Sequence, residues 1–121
     1  MRILAIVGLA LVFSGCASSP GLYQWGGYDQ QLYSAYKDPT QTAALRKSLE
    51  AHIAAMEAEK QRVAPGLYAE LGTLCLQAND LDTAVSYYAK ERAYWPESTG
   101  LMTAMIENIK RRQDANKQAT K

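Results

Sequence analysis

Apolar residues recur at spacings of three and four along most of the chain, and no stretch alternates with the two-residue rhythm of a strand. The spacing predicts five helical segments. Residues from Asp29 to Lys37 form a short helix with Leu32, Tyr33 and Tyr36 on one side and Tyr28 one turn earlier. Asp38-Pro39-Thr40-Gln41 is a helix start: Asp38 can cap, Pro39 needs no N–H partner, and Gln41 can close a capping box. That helix should run to about Gln61, with Leu45, Leu49, His52, Ile53 and Met56 as its stripe. The opposite side carries Arg46, Lys47, Glu50, Glu57 and Lys60.

Pro65-Gly66 breaks the pattern. A third segment from Gly66 to Ala78 turns Tyr68, Leu71, Leu74 and Cys75 inward, and Asn79-Asp80 reverses the chain. Leu81 to Tyr94 is a fourth helix, closed by Pro96, with Ala84, Val85 and Tyr88 inward. Ser98 can cap a last helix bearing Leu101, Met102, Met105, Ile106 and Ile109. Beyond Arg112 the residues are polar and fraying is expected. Short connections favour antiparallel neighbours. The expected fold is all-α, a short helical array with irregular capping helices around one hairpin.

The hairpin has a further regularity. Pro65 to Ser98 spans 34 residues, the length of one tetratricopeptide repeat. Tyr68 takes a large position, Leu71-Gly72 supplies the Leu-Gly pair, Ala84 and Tyr88 take a small and a large position, and Pro96 closes the unit. Small Gly72 and Ala84 let two helices approach; the two tyrosines fill the space beside them. Cys75 stands where the pattern prefers an aromatic, and Glu91 where it prefers alanine. Shifted upstream, the frame meets Ser34, Lys37 and Asp38, which do not fit. One hairpin leaves an apolar face uncovered, so the flanking helices must cover it.

The N-terminal residues change the picture of where such a domain resides. Met1-Arg2 is followed by an apolar run of 11 residues, Ile3 to Phe13. A span of the bilayer needs about 20, so the run matches a secretory signal. Phe13-Ser14-Gly15-Cys16 then resembles a lipobox, with Phe13 in place of the usual leucine. Cys16 is the expected lipidation site, and its acyl chains exceed the two signals that stable anchoring requires. Ala17 follows, not the aspartate that resembles an inner-membrane retention signal, so an outer-membrane location is expected. The expected organisation is a signal peptide over 1–15 and a lipidated tether over 16–21. An aromatic segment with a short helix covers 22–37, the helical domain 38–112 and a polar tail 113–121.

Charge narrows the partners. Loss of Arg2 with the leader leaves 12 basic residues against 12 acidic ones. A neutral chain lacks the basic face that nucleic acid requires, so none is expected as partner. The local excess of Lys110, Arg111, Arg112, Lys117 and Lys121 over Asp114 reads as a solvated helix end and tail, with contact to anionic lipid or glycan as the alternative.

Candidate chemistry is sparse. His52 is the one histidine and lies in a helix stripe, so it reads as a boundary residue. A metal centre would need several converging ligands, and hydrolysis would need a base aimed at a nucleophile. Cys75 sits in an apolar segment and reads as a small buried hydrophobe. Glu57-Ala58-Glu59 and Asp80-Leu81-Asp82 read as solvated carboxylates. No enzyme, metal or cofactor is expected.

The remaining signal is aromatic. Tyrosine occurs 8 times and phenylalanine once, and tyrosine suits surfaces that are half apolar and half wet. Tyr23, Trp25 and Tyr28 interleave with Gly26-Gly27, either as a clasp on the helices or as a docking patch. Trp25, Tyr28, Tyr68, Tyr87, Tyr88 and Trp95 are the candidate partner-binding residues.

Tyr23-Gln24-Trp25-Gly26-Gly27-Tyr28, Gln31-Leu32-Tyr33-Ser34-Ala35-Tyr36 and Pro65-Gly66-Leu67-Tyr68-Ala69-Glu70-Leu71-Gly72 together resemble an uncharacterised lipoprotein family, domain of unknown function 4810. The likeness covers roughly Leu22 to Lys110. It implies a periplasm-facing lipoprotein of Gram-negative bacteria, associated with two other lipoproteins, one similar to the curli secretion channel. It implies no catalytic residues. The expected function is a protein-binding adaptor or assembly factor among envelope lipoproteins, held to the membrane by its lipid. The alternative is a cell-wall or glycan-binding module that uses the aromatic segment on peptidoglycan.

Overall fold

A computed structural model describes residues 21–120. Cys16 and the expected signal peptide lie outside the described residues. The described residues form α1 (Tyr28–Lys37), α2 (Thr42–Ala58), α3 (Leu67–Gln77), α4 (Leu81–Tyr94) and α5 (Thr99–Ala119), with short 3-10 turns at Pro39–Gln41 and Pro96–Ser98. No strand occurs among them. The fold is all-α, and each helix packs on the next.

Local chemistry sets the boundaries. Asp38 Oδ1 accepts hydrogen bonds from the Thr40 N–H at 3.0 Å and the Thr40 hydroxyl at 2.7 Å. Gln41 Nε2 donates to Asp38 Oδ2 at 3.4 Å. The glutamine therefore braces the capping carboxylate, where a capping box would bond the Asp38 N–H. The first turn is 3-10, and the α-helix proper begins at Thr42.

α2 and α3 stop in the same way. Lys60 and Asn79 adopt left-handed φ of 56° and 60°. The next residue then bonds back: Gln61 N–H to the Met56 carbonyl and Asp80 N–H to the Cys75 carbonyl, each at 2.9 Å. This is the Schellman arrangement, which satisfies carbonyls that the helix end would orphan. It ends α2 at Ala58, short of the expected Gln61.

Leu45, Leu49, Ile53 and Met56 of α2 meet Leu67, Tyr68, Leu71, Leu74 and Cys75 of α3 in one core. Ala84 and Tyr88 of α4 and Met102, Ile106 and Ile109 of α5 complete it. α3 and α4 make the most extensive contact. A β-carbon on Gly72 would stand 2.8 and 2.9 Å from ring carbons of Tyr88 and 3.3 Å from the Ala84 carbonyl oxygen. The absent side chain is thus the space that Tyr88 fills, and its hydroxyl lies 3.0 Å from that of Thr73.

The structure settles which apolar residues face the body and corrects the expected end of the last helix. Leu32, Tyr33 and Tyr36 do not face the body; all are exposed, and Tyr28, Gln31 and Ala35 form the inward stripe. Leu101 is exposed while Met102 is buried. Val85, half-buried beside fully buried Ala84, packs against the core as its inward position predicts. α5 continues to Ala119, past the expected fraying at Arg112. Residues 113–119 hold no proline or glycine to stop it, and Gln113 Nε2 bonds Asp82 Oδ1 of α4 at 2.9 Å.

Gly72→Leu should overpack this contact. Overpacking costs about 1–3 kcal/mol, so the melting temperature should drop by at least about 4 °C for a domain of this size. An unchanged melting curve by circular dichroism would contradict the close approach.

Candidate functional site

The six aromatic candidates separate into two groups. Tyr68, Tyr88 and Trp95 are buried, so their rings belong to the core and do not offer themselves to a partner. This corrects the expectation that all six line a contact surface. The Tyr88 ring fills the space beside Gly72, whereas Trp95 is covered by Tyr23 and Arg62. Tyr87 and Tyr28 are half-buried, and Trp25 is 43% exposed.

A cleft of about 700 Å³ opens where the end of α2, the start of α3 and the end of α4 converge. Tyr68 and Tyr94 stack along it, with ring centroids 5.7 Å apart and planes 25° apart. Tyr94 is 52% exposed and supplies the accessible aromatic face. Glu57 sits at the rim. Its Oε1 accepts from the Tyr68 hydroxyl at 2.8 Å and from Lys90 Nζ at 2.7 Å. The Lys90 bond, with help from Tyr68, holds the Glu57 carboxyl below its usual range. Glu57 is therefore a bridge between three helices, not the freely solvated carboxylate the sequence suggested.

Arg62 forms the other wall. Its guanidinium carbon lies 4.1 Å from the Trp95 ring centroid, and Nη2 donates to the Tyr94 carbonyl at 2.7 Å. Neither Arg62, Lys90 nor Tyr94 follows an apolar period. Their partners lie more than ten residues away in sequence, or across a loop, and no local signal could have found them.

The aromatic N-terminal segment folds back as a clasp. Tyr23 meets Trp95 edge-on at 5.5 Å. The Gln24 carbonyl lies 3.0 Å from His52 Nε2, and Gln24 Nε2 donates to Gln61 Oε1 at 3.0 Å. Gly26 has φ of 60°, and a β-carbon there would fall 2.6 Å from His52 Nδ1. Only glycine allows both that turn and that approach. His52 is thus a boundary residue, seated under the clasp.

Residues 22–105 match the family model described as a domain of unknown function, DUF4810. The chain belongs to the DUF4810 family. No curated protein and no solved structure matches it. The DUF4810 match takes in the aromatic clasp, all of α1 to α4 and the first turns of α5.

Within this DUF4810 fold, Glu91 explains its own departure from the repeat pattern. It is 1% exposed, and its Oε1 accepts from the Gly66 N–H at 2.8 Å at the start of α3. The Ser98 hydroxyl lies 3.4 Å away, at the approach to α5. A carboxylate from α4 so caps α3, where an N-terminal helix dipole favours negative charge. Glu91 Oε2 and Trp95 Nε1 are buried without a hydrogen-bond partner among the described residues. Among the described residues no group of three or more His, Cys, Asp or Glu converges as a metal centre would require.

Burial, together with the neighbouring Glu70 carboxylate, pushes the Tyr28 hydroxyl up to about 12. Burial also raises Tyr68, Tyr87 and Tyr88. An unfolded tyrosine loses its proton near pH 10, so above that pH the unfolded chain holds fewer protons than the native one. Stability must then fall as pH rises above about 10. Tyr28→Phe should make that decline in melting temperature shallower; identical alkaline limbs for the two proteins would show that Tyr28 does not contribute.

Proposed function

We propose that this chain is an envelope lipoprotein, acylated at Cys16 and held at the outer membrane facing the periplasm. It acts there as a protein-binding adaptor or assembly factor beside other envelope lipoproteins. The leader pattern and the Cys16 lipobox support the anchor. The 34-residue hairpin, with its Gly72, Ala84 and Tyr88 contact, supports reading α3 and α4 as tetratricopeptide-like.

The observation that carries the binding role is the cleft beside Tyr94. It is open, its floor is aromatic, and its rim offers Glu57, Lys60 and Arg62. Mixed aromatic and charged lining suits a peptide segment of a protein partner, whose side chains need apolar contact and whose backbone needs hydrogen bonds. Tyr94 takes the place of the buried rings as the contact residue of this cleft; Tyr87, Tyr28 and Trp25 remain candidates outside it.

A photo-crosslinking residue at position 94 in the full chain tests this in cells. It should trap one discrete envelope protein, the adduct should vanish with Arg62→Glu, and the same probe at Lys110 should trap nothing. Absence of an adduct, combined with sedimentation of the purified chain with peptidoglycan alone, would replace this reading with the glycan-binding one. Labelled palmitate should enter the natural chain and not the Cys16→Ser variant.

A further inference from the structure

α1 is seated firmly and yet turns its more apolar side to solvent. Tyr28, Gln31 and Ala35 face α2, and Gln31 Nε2 bonds the Gly26 carbonyl at 3.1 Å. The outward side carries Leu32, Tyr33 at 62% exposure and Tyr36 at 85%. With Asp29 these line a shallow, open and almost wholly apolar depression. Lys37 closes the helix, its ammonium 5.3 Å from the Tyr33 ring centroid.

We infer that the Leu32–Tyr33–Tyr36 face of α1 rests in the interfacial layer of the bilayer that holds the chain; this inference depends on the acylated Cys16 proposed above. Three observations select a lipid surface. The first is chemical. Tyrosine places an apolar ring under a polar hydroxyl, and lysine keeps its charge in water while its stem lies on apolar surface. Such residues collect at the depth of lipid headgroups.

The second is the length of chain outside the structure. Four residues, 17–20, separate Cys16 from Gly21, where the described chain begins, so the anchor lies at most about 18 Å from it along a fully extended chain. α1 is the first helix after the anchor and is joined to Gly21 by the clasp, so its outward face belongs to the part of the domain that a short tether holds near the membrane. Leu22, 87% exposed, lies on the same connecting stretch.

The third is size. A specific protein interface covers about 800 Å² on each partner. Three side chains on a ten-residue helix fall short of that by themselves. They need not hold a free protein on a membrane, because a short tether converts docking into an intramolecular event at an effective concentration on the order of millimolar. Asp29, Lys37 and Asp38 nearly balance in charge along the helix. Docking should therefore depend little on salt or on anionic lipid, unlike attachment through a polybasic segment.

The test uses the lipidated full-length mature chain carrying Trp25→Phe, so that buried Trp95 is a constant background. Tyr36→Trp, or Leu101→Trp on exposed α5 at the other end of the array, is added to it. Each protein is placed in phosphatidylethanolamine–phosphatidylglycerol vesicles with or without brominated acyl chains. The emission added by residue 36 should be lost in brominated vesicles and kept by residue 101. Leu32→Glu with Tyr33→Glu should restore the emission of residue 36 without changing helix content. Emission at residue 36 that is indifferent to bromine, or equal quenching at both positions, overturns the inference. So does a cross-link from residue 36 to a second protein in the absence of quenching. A parallel sample coupled through Cys16 to a maleimide lipid, with Cys75 shielded by burial, separates the two ideas. An unacylated natural chain defeats the anchor reading, whereas unquenched residue 36 on the coupled chain defeats this one.

Discussion

Gly72 has no side chain, and the ring of Tyr88 takes the space that one would occupy. That single substitution of one residue's volume by another's lets α3 and α4 come together tightly enough to act as one unit. The hairpin then presents an apolar surface on each flank, which would be unstable in water alone. α2 covers one flank with Leu45, Leu49, Ile53 and Met56, and α5 the other with Met102, Ile106 and Ile109. The sequential array is the consequence: each helix is needed because the one before it leaves something uncovered.

Polar residues then lock the ends of the array. Glu91 reaches from α4 to the start of α3 and lies against the approach to α5, so one carboxylate ties three boundaries. Burying a charge is unfavourable unless hydrogen bonds meet it, and here a helix N-terminus supplies one. Glu57 joins Tyr68 and Lys90 at the same end of the hairpin. Arg46 links Glu50 within α2 to Asp80 at the turn after α3. The clasp closes the remaining side with Tyr23 on Trp95 and Gly26 under His52. These contacts leave two accessible aromatic surfaces on different elements. One is the cleft beside Tyr94, framed by α2, α3 and α4. The other is the outward side of α1.

Much of the scaffold could be read in advance. The α4 boundaries, the Asn79-Asp80 turn and the Asp38 cap all came from residues acting on their immediate neighbours. The buried stripes of α2 and α3 followed from spacing alone, and the all-α class with them. α1 and the start of α5 went differently. There, apolar residues outnumber the positions that one contact can bury, and periodicity names two neighbouring stripes without choosing between them. The roll of α1 is decided by the left-handed turn at Gly26-Gly27 and by the room that His52 leaves.

The sequence by itself determined the helices, their order and the close contact at Gly72, because capping, turn chemistry and spacing are short-range effects. Only the tertiary structure decided which tyrosines are core and which are surface, and which charges meet. Tyr68 and Tyr94 share a residue type and lie on one stack, yet one is buried and the other is not. The partners of Glu57, Arg62 and Glu91 lie on other elements of the array, and charge has no period from which such pairs could be read. Burial and ion pairing are properties of how helices stack, and stacking is fixed only when every neighbour is in place.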